Sequence, residues 1–250
     1  MLVLLPPSET KRAGGAGAPL DLDALALPQL ASQRREAVDA LVALSADAGI
    51  AARVLKLSPR QLGEIDVNAQ MATAPTMPAI DRYTGVLFDA LDAASLDAAG
   101  RAWLGAHVLI QSAPFGPVGA LDAIPAYRLA AGTALPGIAP MRRHWAEATS
   151  AALAATGASF ILDLRSEAYV ALAPVPAAVP SAFVRVVTAG ADGTVRALNH
   201  FNKHAKGELT RALAATGAAI DSRAAFVDWA GRNGWSVRAS DRSEELELVV

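Results

Sequence analysis

The segment HVLIQSAPFGPVGALDAIPAYRL, residues 107–129, decides the class of fold that the sequence predicts. It opens with HVLI, a short apolar run that is typical of a buried strand. A long loop rich in proline and glycine follows and ends at Tyr127–Arg128. A helix is predicted next, at about residues 141–156. A buried strand followed by a helix indicates a sheet with helices packed on its faces.

The chain before this segment alternates the same two kinds of element. The opening MLVLL, residues 1–5, is predicted to be a buried strand that ends sharply at Pro6–Pro7. Residues 52–58, ARVLKLS, fit either a short strand or the approach to a helix with Ser58 as its N-cap. The other predictions here are loops at 12–20 and 71–79 and helices at 31–48, Tyr83–Leu91 and Leu96–Leu104.

The chain after the segment predicts further strands, two of which form a hairpin. Residues 182–188 and 195–199 are expected to pair across the turn AGADG, residues 189–193, whose Asp-Gly is a usual hairpin signal. The remaining predictions are strands at 160–166, 235–240 and 245–250 and a helix at 222–233. We therefore predict an α/β fold (mixed α+β), a single domain over residues 1–250 whose mixed, partly antiparallel sheet is flanked by helices.

The composition limits the classes of function. Lys and Arg number 22 and Asp and Glu 24, for a net charge of -2, so binding to a polyanion requires a local cationic patch. The chain has no cysteine, which excludes disulfides, thiolate metal sites and thiol peroxidases. Its opening lacks a basic start, and no apolar run approaches the roughly 20 residues of a membrane span. We expect a soluble, cytoplasmic monomer with no membrane or disulfide partner.

The segment NHFNKHAKGELTRAL, residues 199–213, predicts a helix with a cationic face. Helical spacing places Lys203, Lys206 and Thr210 on one face and Gly207 on the neighbouring stripe. A glycine costs about 1 kcal/mol in a helix interior, so it calls for a reason. One interpretation is a phosphate or carboxylate site that the ligand approaches closely over Gly207. The other is a solvated helix face with a packing glycine.

The loop PPSETK, residues 6–11, supplies candidates for catalysis. Loops at the carboxyl ends of strands carry ligand-binding groups in α/β proteins. Ser8 can act as a nucleophile beside a base, and Lys11 can bind an anion or react as a neutral amine when desolvated. Ser8, Lys11 and Lys203 are thus the candidate catalytic residues. A capped surface loop is the alternative.

Two arginines lie where other strands are predicted to end. Arg128 follows Tyr127 at the end of the long loop, and Arg165 ends the strand FILDLRS. With a lysine they would form an anion pocket if the fold brings them together. The alternative for each arginine is a structural tether to a carboxylate such as Asp122 or Asp163.

His200 and His204 lie one helical turn apart and would need a third ligand to hold zinc or iron. The sequence HFNKH lacks the glutamate of H-E-x-x-H, and the chain has no E-x-x-H repeat. Lys203 and Lys206 would also repel a cation. We predict no metal and no cofactor.

Four segments, MLVLLPPSETK, SAPFGPVGALDAIPAYRLAAGT, LDLRSEAY and FNKHAKGELTRAL, occur in that order from Met1 to about Phe226. Their order and spacing resemble the YaaA family of bacterial peroxide stress proteins. The resemblance implies a cytoplasmic protein that limits damage from hydrogen peroxide by keeping free iron low, with a basic cleft that binds DNA. The matched motif positions are Ser8, Lys11, Phe115, Gly116, Asp122, Tyr127, Arg128, Gly132, Lys203, Lys206 and Gly207.

The chain departs from the family's pattern in two places. Residues 57–83 fall where the family has a helix-hairpin-helix-like element, and they lack a G-x-G hairpin. Glu167 is out of register with the family's Ser-x-Glu-Tyr. We carry over no role for either.

The first functional hypothesis is a cationic cleft that binds a phosphate-bearing ligand, with DNA as the first candidate. Its expected ligand-binding residues are Lys11, Tyr127, Arg128, Arg165, Lys203, Lys206 and Gly207. Phosphate contacts from around five cations predict a log–log salt slope of about -4. The alternative is an enzyme that acts on a nucleotide, nucleobase or abasic DNA through the lysines and Ser8 at the strand ends.

Overall fold

The structure, a computed structural model, describes residues 1–189, 195–196, 199–242 and 244–250; the side chains of 189, 195, 196 and 199–201 lie outside this description. The strands are β1 Leu2–Leu5, β2 Met77–Pro78, β3 Val108–Ser112, β4 Gly116–Gly119, β5 Ala123–Ile124, β6 Ile161–Asp163, β7 Ser181–Ala189, β8 Val195–Arg196, β9 Ser236–Ala239 and β10 Glu245–Val249. The α-helices are α1 Ala31–Leu44, α2 Ala48–Val54, α3 Glu64–Ala69, α4 Ala79–Arg82, α5 Val86–Leu91, α6 Ala98–His107, α7 Met141–Ala155, α8 Glu167–Leu172, α9 Asn199–Ala215 and α10 Arg223–Arg232. Short 3₁₀-helices occupy Pro28–Leu30, Pro59–Gln61 and Ala93–Ser95.

The main sheet has the strand order β4-β3-β1-β6-β7-β10-β9, and β8 pairs with the end of β7. Strands β3, β1, β6, β7 and β10 run parallel to one another, whereas β4 and β9 are antiparallel strands at the two edges. Strands β2 and β5 form a small antiparallel sheet of their own. The predicted α/β fold with a mixed, partly antiparallel sheet is confirmed.

Strand β1 lies in the middle of this sheet. Val3 aligns with Val108 of β3 on one side and with Leu162 of β6 on the other. Val3 belongs to the large core on one face, while Leu4 packs with Leu153 of α7 on the opposite face. Because both faces of β1 are buried, its sequence is a continuous apolar run without alternation.

The two alternatives for residues 52–58 are now decided. Helix α2 begins after Asp47, whose Oδ1 accepts a hydrogen bond from the Ile50 amide at 2.9 Å, and it extends to Val54. Ser58 caps the following 3₁₀-helix together with Gln61. The strand alternative is therefore wrong, and the helix predicted at 31–48 is α1, which ends at Leu44.

The two strands of the predicted hairpin are present and paired. Thr188 of β7 lies opposite Arg196 of β8 in an antiparallel pair. Residues 190–193 of its predicted turn lie outside the described residues. The long proline- and glycine-rich loop after β3 contains the short strands β4 and β5, which composition alone did not reveal.

Helix α9 packs against helix α5 at Gly207. A β-carbon at this position would overlap the carbonyl oxygen of Leu87 and would lie 2.9 Å from Cβ of Ala90. Gly207 is buried, as are Leu209 and Leu213 on the predicted core face. Of the two interpretations of Gly207, packing explains the geometry, because the missing side chain lets two helices meet rather than letting a ligand approach.

Replacing Gly207 with alanine should lower the free energy of unfolding by about 1–3 kcal/mol, because α5 and α9 must move apart. Gly231→Ala is the matched control, since nothing lies within 4 Å of the added carbon in α10. That change should be neutral or stabilising by up to about 1 kcal/mol. Urea unfolding of both variants checks the prediction, and similar effects at the two positions would contradict it.

Candidate functional site

A crevice opens where the chain crosses from one side of β1 to the other. After β1 the chain forms β3 on one side of it, and it later forms β6 on the other side. Such switch points, at the carboxyl ends of parallel strands, are where open α/β sheets bind ligands. A cavity of about 740 Å³ lies here, which we call the strand-end cleft. Its lining residues are Pro6, Pro7, Ser8, Glu9, Val86, Leu87, Ala130, Ala131, Gly132, Leu164, Ser166, Ala168, Tyr169, Asn202, Lys203 and Lys206.

Ser8 enters the cleft from the loop after β1. Its Oγ lies 3.2 Å from the hydroxyl of Thr10 and accepts a hydrogen bond from the Thr10 amide at 3.3 Å. Gly85 has φ +95°, and a β-carbon there would lie 3.3 Å from both hydroxyl oxygens. Within the described residues, the partners of the Ser8 hydroxyl are thus groups of Thr10. They hold a hydrogen-bond donor at the cleft, and they include no base that would activate a nucleophile.

Lys203 and Lys206 enter the cleft from helix α9, less than one turn apart. Lys203 is exposed, whereas Lys206 is only 4% exposed. The Lys206 Nζ donates a long hydrogen bond of 3.4 Å to the carbonyl oxygen of Arg165 and lies 5.3 Å from the ring centroid of Phe183. The same helix face therefore presents one exposed and one enclosed lysine to the cavity.

The enclosed amine has an altered affinity for its proton. Burial lowers the pKa of Lys206 from 10.5 to about 8; Asp163 and Glu167 partly oppose this shift, and Arg185 adds to it. A lysine whose pKa lies near neutrality has a reactive neutral fraction that an ordinary lysine lacks.

Lys11 lies in a neighbouring cavity of about 260 Å³, which we call the side cavity. Its Nζ donates hydrogen bonds to the carbonyl oxygens of Ser8, at 3.0 Å, and Glu9, at 3.4 Å. The amine also lies 4.0 Å from the ring centroid of Tyr127 and 5.5 Å from that of Tyr83. Carbonyl oxygens and aromatic faces both attract a cation, so this amine is well surrounded.

Burial and the nearby guanidinium of Arg128 lower the pKa of Lys11 to about 7, against the weaker opposing effects of Glu64 and Glu9. Tyr127 is buried, and its hydroxyl lies 2.8 Å from the hydroxyl of Tyr83. Burial raises the pKa of Tyr127 well above its ordinary value. Tyr127 thus contributes its ring to Lys11 and its hydroxyl to Tyr83.

Arg128 is connected to both cavities through Glu9. Its guanidinium pairs with the carboxylate of Glu9 at 3.0 Å, and Glu9 lines both cavities. The side-chain amide of buried Asn68 holds the backbone N–H and C=O of Arg128. Asp122, one proposed tether, instead accepts hydrogen bonds from the amides of Ala26 and Gly119. The positive charge of Arg128 is therefore compensated by Glu9.

Arg165 lies beneath the cleft and is fully enclosed. Its guanidinium forms two hydrogen bonds with the carboxylate of Asp163, at 2.9 and 2.7 Å, and donates to the carbonyl oxygen of Ala173 at 2.7 Å. A further contact reaches Oε1 of Gln111 at 3.3 Å. The tether to Asp163 is the arrangement found here, and the backbone carbonyl of Arg165 is what reaches Lys206. We therefore leave the Arg165 side chain out of the ligand contacts that we propose.

The structure thus divides the predicted site residues into groups. Ser8, Lys203 and Lys206 line the strand-end cleft, whereas Lys11 and Tyr127 line the side cavity. The Arg128 side chain pairs with Glu9, which lines both cavities. The predicted binding residues did not include Tyr169, the apolar pair Val86 and Leu87, or the segment 130–132, of which Gly132 had been named only as a matched motif position. An aromatic residue three positions after Ser166, at a strand end, was a usable signal for Tyr169. Val86 and Leu87 carry no chemical signal in the sequence.

Another cavity, of about 480 Å³, lies beside β7 and α8. Arg185 pairs there with Glu167 and Glu245, and Arg242 also pairs with Glu245. Because these charges satisfy one another, we assign the candidate site to the strand-end cleft.

The histidine pair predicted on α9 can be followed only at His204, which pairs with Glu208 at 3.2 Å; the side chain of His200 lies outside the described residues. In the part of the chain that the structure describes, no cluster of three or more His, Cys, Asp or Glu side chains could hold a metal. None of the helices described is both long enough and apolar enough to span a bilayer.

Comparison with known proteins gives a match over almost the whole chain. The family model described as "Peroxide stress protein YaaA" matches residues 1–239. A UPF0246 protein of Corynebacterium efficiens is 44% identical over 255 aligned positions that cover 100% of both chains. A UPF0246 protein of Streptomyces coelicolor is 42% identical over 243 positions, which cover 96% of this chain and 92% of the relative. A UPF0246 protein of Corynebacterium glutamicum is 42% identical over 255 positions, with full coverage of both.

Asp163→Asn should destabilise the protein by about 3–5 kcal/mol, because it leaves the enclosed guanidinium of Arg165 without its counter-charge. Asp23→Asn is the control, since Asp23 pairs with Arg35 on the surface, where the side chains are 68% and 52% exposed. A surface pair of this kind contributes about 0–1 kcal/mol. Chemical unfolding measures both changes, and a small loss at Asp163 would show that the buried pair is dispensable.

Lys206→Met should change the pH dependence of stability. The folded protein releases the Lys206 proton at a pKa of about 8 and the unfolded chain at 10.5, so wild-type stability rises with pH across that window. The stability advantage of the Lys206→Met variant over wild type should be full below about pH 8 and should shrink by on the order of 3 kcal/mol by pH 10.5. Urea unfolding at several pH values measures it, with Lys56→Met as the surface control. A pH-independent difference would refute the shift.

Proposed function

The chain belongs to the peroxide stress protein YaaA family, and from this premise we propose that its strand-end cleft binds a phosphate-bearing ligand during the cytoplasmic response to hydrogen peroxide. The observation that carries the proposal is the meeting of Lys203, Lys206 and Ser8 in one cavity beyond the carboxyl ends of β1 and β6. Two ammonium groups and a hydroxyl are donors suited to phosphate oxygens.

The size of the cleft indicates how much of such a ligand enters. About 740 Å³ falls in the range of small-molecule and cofactor sites, and it suits one nucleotide rather than a length of duplex. DNA, the first candidate from the sequence, would then place one nucleotide in the cleft, turned out of its stack. Tyr169 offers an aromatic ring in the same cavity on which a base can stack.

The distribution of cations changes the salt dependence that we expect for DNA binding. Lys203 and Lys206 line the cleft, while Arg128 and Arg165 are each paired with a carboxylate. Two phosphate contacts predict a log–log salt slope of about -2 for DNA, in place of the slope of about -4 expected from five cations. The limitation of free iron that the family resemblance implies enters the proposal as an indirect effect, because we assign no iron ligands in this chain.

A second candidate is an enzyme that acts on a nucleotide, a nucleobase or abasic DNA through lysine and serine at the strand ends. The specific observation in its favour is that two lysines beside the cleft, Lys11 and Lys206, have pKa values of about 7 and about 8. Strongly shifted pKa values cluster at active sites.

Lys203→Ala should weaken the binding of adenosine 5′-monophosphate by about tenfold or more, because a charge-assisted hydrogen bond is lost. Lys56→Ala removes a lysine away from the cleft and should leave affinity unchanged. Calorimetric titration with the mononucleotide, a single strand and a duplex, from about 50 to about 200 mM salt, measures affinity and slope. Binding that is absent, or equal in the Lys203 variant and wild type, would overturn the proposal.

A further inference from the structure

The chain uses its two kinds of cation for different purposes. It contains eighteen arginines but only four lysines, at positions 11, 56, 203 and 206. Three of these four lysines lie at the strand-end cleft or the side cavity. The enclosed cations that hold the fold together are arginines, such as Arg34 and Arg82, which donate to several backbone carbonyl oxygens. A guanidinium always stays charged, whereas an amine can lose its proton and become a nucleophile.

Lys206 is the enclosed lysine whose amine has the fewest hydrogen-bond acceptors around it. An ammonium group has three N–H donors, and buried donors almost always have partners. Among the described residues, the Lys206 Nζ has one hydrogen-bond partner, the Arg165 carbonyl oxygen at 3.4 Å, which is a long distance for such a bond. A neutral amine leaves fewer donors unpaired and keeps a lone pair for reaction.

The carboxylates around Lys206 are already paired with arginines. Asp163 on β6 is paired with Arg165, and Glu167 on α8 is paired with Arg185 on β7. Lys203, less than one turn away on α9, adds a like charge. No carboxylate described here lies within ion-pair distance of the Lys206 amine, so burial decides its state.

Lys11 does not share this situation. Its amine has two carbonyl acceptors, at 3.0 and 3.4 Å, and the face of Tyr127 at 4.0 Å. It lines the side cavity and not the strand-end cleft. Of the two enclosed lysines, Lys206 therefore has fewer acceptors that hold its amine in place, and it is the one that lines the strand-end cleft.

We propose that Lys206 forms an imine with the carbonyl carbon of a phosphorylated aldehyde held in the strand-end cleft, such as the open-chain form of a sugar phosphate. The Nζ lone pair attacks the carbonyl carbon to form a C–N bond. The C=O bond breaks as the carbonyl oxygen takes up the two protons of the neutral amine and leaves as water, so that a neutral C=N bond remains. No oxidant or reductant is required. The inference rests on the proposed function, because Lys203 holds the phosphate group while Lys206 reacts.

The test traps the imine by reduction. Wild-type protein is incubated with ribose 5-phosphate and sodium cyanoborohydride, and intact-mass measurement followed by peptide mapping locates the adduct among the four lysines and the terminal amine. We expect one dominant adduct, on Lys206. Lys206→Arg and Lys206→Met should remove it, with circular dichroism to show that each variant is folded, and Lys56→Arg should leave it unchanged.

The role of the phosphate is tested separately. Inorganic phosphate should compete with ribose 5-phosphate. Unphosphorylated ribose should label Lys206 at about one tenth of the rate, or more slowly still. Equal labelling by ribose would leave the imine standing and would overturn the phosphate site. If the protein binds phosphate or the mononucleotide but Lys206 forms no adduct, the imine is overturned and the phosphate site stands. An adduct on Lys11 or Lys203 in place of Lys206 has the same meaning.

The source of the aldehyde is distinguished by a third arm. An oligonucleotide with an abasic site presents a similar open-chain aldehyde, that of a phosphorylated 2-deoxyribose, within DNA. If reduction cross-links Lys206 to this oligonucleotide at lower concentrations than it does to ribose 5-phosphate, the ligand belongs to DNA. If only the free sugar phosphate reacts, the ligand is a small molecule. Failure of both to label Lys206 refutes the inference.

Discussion

The pairing of β1 with β3 on one side and β6 on the other is the constraint on which the site depends. Val3 is aligned with Val108 and Leu162 at once, so β1 cannot be an edge strand, and the chain must form β3 on one side of it and later β6 on the other. The loops after β1 and β6 then diverge at one edge of the sheet, and the crevice between them follows from topology. Helix α9, held close by Gly207, closes this crevice with its lysines.

Beneath the cleft, the enclosed charge of Arg165 has a structural role, whereas we propose a chemical role for the enclosed amine of Lys206. Arg165 is fully buried, but its guanidinium has a carboxylate and a carbonyl oxygen as partners, which compensates for its desolvation. The backbone oxygen of the same residue is what Lys206 contacts. The Asp163–Arg165 pair thus fixes the position of the amine without neutralising it, because its carboxylate is already occupied. Burial is left to lower the pKa of Lys206.

Local patterns predicted the fold better than the site. The apolar run of β1 and the Asp-Gly signal before β8 are short-range features, and the strands that they predict are present. The partners that decide the site are distant in the sequence: Gly207 meets Leu87, and Lys11 pairs with Tyr83 in an isolated β-bridge. No periodicity encodes such contacts. Asp163 and Arg165 are an exception: side chains two residues apart near a strand end share one side, and their pairing was one of the two alternatives that the sequence left open.

The proposed binding of a phosphate and the proposed attack on a carbonyl require different protonation states of a lysine, and the two lysines of α9 can each meet one requirement. Binding a phosphate favours a protonated amine, whereas attack on a carbonyl requires an unprotonated one. Identical, equally exposed lysines less than one turn apart would repel each other without dividing these tasks. Here Lys203 is exposed, so water stabilises its charge, and Lys206 is enclosed, so its charge is disfavoured. In the function that we propose, a difference in burial between two nearby residues of the same type therefore gives one wall of the cleft both an anion-binding group and a nucleophile.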